Sequence, residues 1–306
     1  MQKLVAVTGA TGFIGHRLIN RLVSQGWNVK ALTRKKQAVS KSIEWVQGDL
    51  SNQPALNALV QDVSVIIHCA GAVRGSSIDE FVHTNVKGTK NLLNALVKQQ
   101  AGSPRFLHIS SLAARQPELS WYAQSKFMAE QVVTNHSADF SWTIFRPTAV
   151  YGPGDKELKP LFKAARRGLL PVVGKLENRF GLIHVDDLVA AIQAWLSSET
   201  PCNDIYELDD GTPNGYSFES LANLAQKVWK RPVRCIIIPH ALIKNIAALN
   251  LWLARMFHYS PMLTPGKVKE LQHHDWVCDN TALIHALPGW RPNIDLHESL
   301  PFIVQH

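Results

Sequence analysis

Short apolar runs alternate along this chain with stretches whose apolar positions recur every three to four residues. The first run, Val5-Ala6-Val7-Thr8, ends at Gly9, after which Ile14, Leu18, Ile19, Leu22 and Val23 share one helical face and Gly26 closes the segment. This predicts a strand, a tight turn and a helix. A second strand is predicted over residues 27–33, and a third with its exit over 43–50. Residues 63–71 are almost continuously apolar, as a central parallel strand buried on both faces must be. A helix is expected to open at residues 84–89 and a fifth strand to cover 106–111.

Composition narrows the class. The 306 residues are 46% hydrophobic, enough for one large or two modest domains. The chain enters its first strand directly after Met1-Gln2-Lys3, without the pattern of a signal peptide, and no window holds 18 uninterrupted apolar residues. A cytoplasmic protein is expected. Cys69, Cys202, Cys235 and Cys278 lie far apart, which suggests neither a metal site nor a disulfide framework. The formal charge is +8, and the positive residues look scattered apart from Arg34-Lys35-Lys36 and Arg166-Arg167. Anionic small molecules are therefore favoured as partners over nucleic acid.

Two stretches carry chemistry. Glycines recur as Gly9-x-x-Gly12-x-x-Gly15 between the first strand and helix. Such a turn needs a residue free to take positive φ, no side chain where a pyrophosphate meets the backbone, and none where helix packs on strand. The helix N-terminus then offers N–H groups and a positive dipole to that pyrophosphate. The spacing departs from G-x-G-x-x-G, so a plain strand-to-helix turn stays open. The second stretch is Trp121-Tyr122-Ala123-Gln124-Ser125-Lys126, where Tyr122 and Lys126 stand one helical turn apart on one face. A tyrosine must lose roughly three pKa units to act as a base at neutral pH, about 4 kcal/mol, and an ammonium about 4 Å away at an effective dielectric near 20 supplies a similar sum.

With TGATGFIG in full, the chain resembles the extended branch of the short-chain dehydrogenases/reductases, the epimerases, dehydratases and reductases. Further matches follow in order: Gly48-Asp49-Leu50, His68-Cys69-Ala70-Gly71, Asn85-Val86-Lys87-Gly88-Thr89, Ser110-Ser111, the Tyr122/Lys126 pair, Arg146-Pro147-Thr148-Ala149-Val150-Tyr151-Gly152-Pro153-Gly154 and His184-Val185-Asp186-Asp187. The resemblance implies an α/β fold, a doubly wound parallel (Rossmann) sheet with a smaller C-terminal substrate-binding lobe. Residues 1–150 would form the dinucleotide-binding domain, with 180–205 returning to it, and 151–306 mainly the lobe. It implies Tyr122 as general acid/base, Lys126 as its electrostatic partner and ribose ligand, and Ser111 as the group that orients the reacting oxygen. Gly9, Thr11, Gly12, Phe13, Ile14, Gly15, Asp49 (to the adenine amino group), Leu50, Cys69, Ala70, Gly71, Asn85, Pro147 and Thr148 complete the expected cofactor site. Arg34, with no acid between Val29 and Gln37, favours NADP over NAD. His68, His184 and Asp187 are expected to be structural, Trp290 a core anchor.

The pattern frays in two places. The segment between Ser111 and Tyr122 is short, and Ser111 is followed by Leu112-Ala113 rather than an acidic pair, which disfavours dehydration and puts a nucleotide sugar in doubt. Hydride transfer at a secondary alcohol or ketone is the expected reaction. A nucleotide-diphosphate-sugar epimerase and a non-catalytic cofactor-binding assembly or regulatory protein remain as alternatives. Residues 239–257 are strongly apolar for a peripheral lobe, either a buried helix or pocket wall, or a segment at a membrane interface. Peripheral membrane contact and a homodimer stay open.

Overall fold

The computed structural model describes residues 3–99, 104–136, 140–198 and 203–305. Cys202 lies outside them. Seven strands form one parallel sheet: β1 Leu4–Thr8, β2 Asn28–Thr33, β3 Ile43–Gln47, β4 Val65–His68, β5 Arg105–Ile109, β6 Ser141–Pro147 and β7 Asp204–Leu208. Their order, β3-β2-β1-β4-β5-β6-β7 reversed about β1, is that of a doubly wound sheet. The apolar runs read from the sequence are these strands, and β4 is buried at every residue.

Helices cover both faces. α1 Phe13–Ser24 turns Leu18, Ile19 and Leu22 onto the sheet, and Gly26 closes it at φ +80°. α2 Gln53–Val60 follows β3, capped by Asn52. The chain after β4 differs from expectation. The helix does not open at residues 84–89, because Ile78–Phe81, a π-helical stretch Val82–Lys87 and α3 Gly88–Val97 run on without a break. A widened turn of this kind inserts one residue and re-aims its neighbours. α4 Trp121–Thr134 follows β5, with Ser120 as its N-cap, and α5 Val185–Ser197 packs on α1. Between α1 and α5, Arg17 forms a two-point ion pair with Asp186 at 2.6 and 2.9 Å.

The remaining chain builds a lobe beyond the sheet with its own core around Phe162, Leu170, Phe218 and Leu300. The closing turn is pinned to the sheet side. Trp290, 2% exposed, donates its indole N–H to Asp187 O, and the Asp187 carboxylate accepts from Asn293 N and Ile294 N. His184 caps α5 through its ring, accepting from Asp186 N at 3.2 Å. The apolar stretch 239–257 is an 18-residue helix, α6 His240–Phe257, but only Ile243, Ala247 and Ala254 are fully buried. Among the described residues no helix is long and apolar enough to cross a membrane.

Candidate active site

Strand order reverses between β1 and β4, and the glycine turn stands at that edge. Gly9 takes φ +70°, and a Cβ there would lie 2.6 Å from Ala70 N. A Cβ on Gly15 would lie 2.1 Å from Gly9 O, so α1 approaches the turn more closely than any side chain allows. Gly12 caps α1 with no side-chain hydrogen bond, which leaves the first N–H groups of the helix to an external acceptor. Thr11, Phe13 and Ile14 lie on this turn. The cradle fits a dinucleotide pyrophosphate.

Cys69, Ala70 and Gly71 follow β4 directly opposite. Burial pushes the Cys69 thiol up to about 12, so it stays protonated. Beneath them His68 is fully buried and held near 3, chiefly by burial and secondarily by the Lys126 charge. Its tautomer follows from its neighbours. Thr89 spends its hydroxyl proton on Asn85 O, so it accepts from His68 Nε2–H at 2.9 Å, and Nδ1 accepts from the Thr8 hydroxyl at 2.6 Å. This neutral imidazole bolts β4 to β1 and α3.

Asn85, on the π-helical stretch, is 2% exposed. Its carbonyl accepts from Ala72 N at 2.6 Å, while its amide donates to Ala72 O at 3.1 Å and to Ser125 Oγ at 2.8 Å. It thereby ties the loop after β4 to α4.

α4 presents Tyr122, Lys126 and Glu130, each one turn apart. The Ser111 hydroxyl lies beside the Tyr122 phenol, whose pKa it pulls down, and accepts from Ala113 N at 3.2 Å. Burial raises Tyr122 to about 12 and outweighs the downward pull of Ser111, while the Glu270 charge adds to the rise. Lys126 is 5% exposed, donates to Ile109 O at 2.7 Å, and is lowered to about 8 by burial against the pull of Glu130. Gly71 leaves room beside it: a Cβ there would lie 3.9 Å from Lys126 Nζ. Pro147 and Thr148 end β6 at the same sheet edge.

The adenosine end is more open. Arg34 is exposed just past β2. Asp49 is exposed after β3, where its Oδ1 accepts from Ser51 N at 2.8 Å and Ser51 Oγ at 2.6 Å, bonds that lower its pKa. Leu50 packs against Gly88 at the start of α3.

The structure adds residues to which sequence reasoning gave no role. Glu130, fully buried, accepts from Ser110 and takes both prongs of the Arg146 guanidinium at 2.9 and 2.6 Å. Arg146 also faces Glu207 on β7 at 3.6 Å, and Glu207 pairs with Arg115 at 3.1 Å. Arg115 donates on to Val277 O at 3.1 Å, in the lobe. The i, i+4 spacing of Lys126 and Glu130 was the available signal. On the other side, helix Pro265–Gln272 brings Lys267 Nζ to 5.9 Å from the Tyr122 ring centre and 2.6 Å from Glu270, which hydrogen-bonds the Ser120 hydroxyl. Beyond this helix lies a cavity of about 430 Å³ lined by Leu119, Lys175, Asn178, Lys269, His273 and His274, among others.

A model of the NAD dependent epimerase/dehydratase family matches residues 5–208. A ceramide reductase of Caulobacter vibrioides is 35% identical over 94% of this chain and 89% of its own length. A decarboxylating sterol-4-alpha-carboxylate 3-dehydrogenase of Saccharomyces cerevisiae is 25% identical over 97% of this chain and 95% of its own. Among solved structures, MoeE5 in complex with UDP-glucuronic acid and NAD superposes with a TM-score of 0.76 at 22% identity, covering 98% of this chain and 97% of that one. That likeness shows the fold.

Proposed function

The chain belongs to the NAD dependent epimerase/dehydratase family, in its extended short-chain dehydrogenase/reductase branch, and from that premise we propose that it reduces a ketone on a lipid to a secondary alcohol. An NAD(P)-type nucleotide is its cofactor. The single observation that carries the reading is the placing of Tyr122 beside Ser111 and one helical turn from a buried Lys126 at the switch-point edge of the sheet. The glycine turn and the first N–H groups of α1 would hold the pyrophosphate, Lys126 and the backbone of residues 69–71 the nicotinamide ribose side, and Pro147 and Thr148 the ring side. The nicotinamide supplies the hydride when bound.

Tyr122, neutral below about 12, is charged with a proton at neutral pH. It donates that proton to the ketone oxygen as the hydride arrives at carbon, and Ser111 and Lys126 stabilise the phenolate left behind. Solvent returns the proton. The lipid substrate class comes from the ceramide and sterol named for the two relatives, and from the short segment between Ser111 and Tyr122. NADP is preferred to NAD in this reading because Arg34, Lys35 and Lys36 follow β2 where an acid would select NAD. A cofactor domain of residues 1–150 with 180–205 returning, a lobe of 151–306, a cytoplasmic location, a homodimer through α4 with its exposed Phe127, and peripheral membrane contact belong to the same reading.

The test is Tyr122→Phe assayed with NADPH and ketones corresponding to a ceramide and a sterol, in mixed micelles. The expected result is a loss of turnover by about 10²–10⁴ with NADPH affinity kept. Unchanged turnover overturns the assignment. A nucleotide-diphosphate-sugar epimerase is the second reading, favoured by one observation: Lys175, Lys269, His273 and His274 line a cavity beside Leu119, near the start of α4, where they would take a diphosphate.

A further inference from the structure

One stretch of this chain concentrates positive charge. Residues 220–269 contain eight lysines and arginines and no acid, whereas residues 1–150 reach the same excess only with 16 basic and eight acidic residues spread over three times the length. The basic residues are spaced out, and the signal is the absence of acids between Glu219 and Glu270.

The same segment holds α6. Its buried side is modest: Ile243 and Ala247 join Val268 in a small cluster with Leu263 and Ile238. A second apolar stripe points outward, Leu242, Ile246, Leu249, Trp252 and Met256, at successive steps of four, three, three and four residues and between 44% and 57% exposed. Phe257 at the helix end is 66% exposed, and Ile236 and Ile237 just before the helix are 49% and 54% exposed. Exposed Lys244 and Arg255 lie on α6 itself, and exposed Lys230, Arg231 and Arg234 precede it in the chain. Monomeric proteins rarely leave so much contiguous helix face apolar without a partner.

We propose that α6 and the acid-free segment around it dock the enzyme on an anionic phospholipid bilayer, with the helix lying in the head-group layer beside the catalytic cleft. An apolar stripe carrying a tryptophan and rimmed by Lys and Arg is what an interfacial helix requires, and an 18-residue helix that does not qualify as a span lies in the interface rather than crossing it. Charge separates the other occupants. A second copy docked face to face would set two segments, each with eight basic residues and no acid, against each other. Nucleic acid would leave the stripe uncovered.

Position gives the docking its use. Asn250 of α6 donates to Leu263 O, at the entry to the helix that carries Lys267 to the Tyr122 ring, and Arg255 donates to Ser76 O in the loop after β4. The bilayer would therefore sit one helix away from the reacting phenol. The purpose assigned here rests on the lipid-ketone reading; the docking itself does not.

The experiment is flotation of the full chain with vesicles of phosphatidylcholine alone and of phosphatidylcholine mixed with phosphatidylglycerol. The chain is expected to float with the anionic vesicles, about tenfold or more above the neutral ones, and to be released by salt. Leu249→Ser combined with Trp252→Ser is expected to lose that binding about tenfold with NADPH affinity intact. Should this pair disturb folding, Lys227→Glu with Lys244→Glu, both exposed, is expected to give the same loss. A wild-type chain that stays unbound, or variants that float as well as wild type, overturn the proposal. So does a lipid-free dimer in sedimentation that the apolar pair dissolves, which would assign the stripe to a second copy. Flotation needs no turnover, so a failed ketone assay and failed docking are told apart.

Discussion

Burial pushes Tyr122 and Lys126 in opposite directions, and both shifts disfavour charge. The phenol is held near 12 and the ammonium near 8, so at neutral pH the tyrosine keeps its proton and the lysine its charge. That pairing suits proton donation to a ketone. Deprotonating Lys126 removes the charge that stabilises the departing phenolate, so reduction should slow as pH rises through about 8, approaching about tenfold per pH unit. The check is kcat/KM for ketone reduction against pH; a flat profile to about pH 10 contradicts it. The linkage to folding has the opposite sense. The folded pKa of Lys126 lies below its ordinary 10.5, the unfolded chain binds the extra proton between about 8 and 10.5, and this group's contribution to stability rises with pH across that window. The Tyr122/Lys126 pair was legible in sequence because its spacing is local. The dominance of burial was not, since Ile109, Glu130 and Glu270 reach the pair through packing.

At the scale of elements, α4 is a single stripe of function running from its cap to its core. Ser120 caps it and binds Glu270 of the lobe, Tyr122 and Lys126 follow, and Glu130 anchors it to β6 through Arg146. Removing Arg146 would strand a fully buried carboxylate. Arg146→Met is therefore expected to cost about 3–5 kcal/mol in urea unfolding, and a loss below about 1 kcal/mol would mean the pair is not structural. β4 was readable from its apolar run because a parallel strand buried on both faces leaves a continuous signal, whereas β3, at the sheet edge, has no buried residue. The π-helical stretch was not readable, because Val82–Lys87 is too short for a one-residue shift of register to show in the apolar pattern. Asn85 owes its aim at Ala72 and Ser125 to that turn. The outward stripe of α6 was equally hidden. A sequence shows which residues of a helix are apolar, but not which of two apolar faces the neighbours leave uncovered.

Across the whole molecule, a nucleotide-binding sheet carries a lobe whose segment 220–269 has eight basic residues and no acid, and which reaches the site from one side. Bridges that join them include Arg115 to the backbone of Val277 and Asp275, and Ser120 to Glu270. The lobe thus supplies Lys267 and Glu270 to the surroundings of Tyr122 on α4. The central claim is net transfer of hydride to a ketone, which isotope transfer tests most directly. The protein is incubated with NADPH deuterated at the transferable C4 position and, in parallel, with NADH labelled alike, each with the ceramide-type and sterol-type ketones. The account predicts one deuterium on the carbinol carbon of the product alcohol, an equal yield of NADP, and slower transfer from NADH. Unlabelled product, no oxidised cofactor, and interconversion of a UDP-sugar without net cofactor turnover would contradict it and give the site to epimerisation.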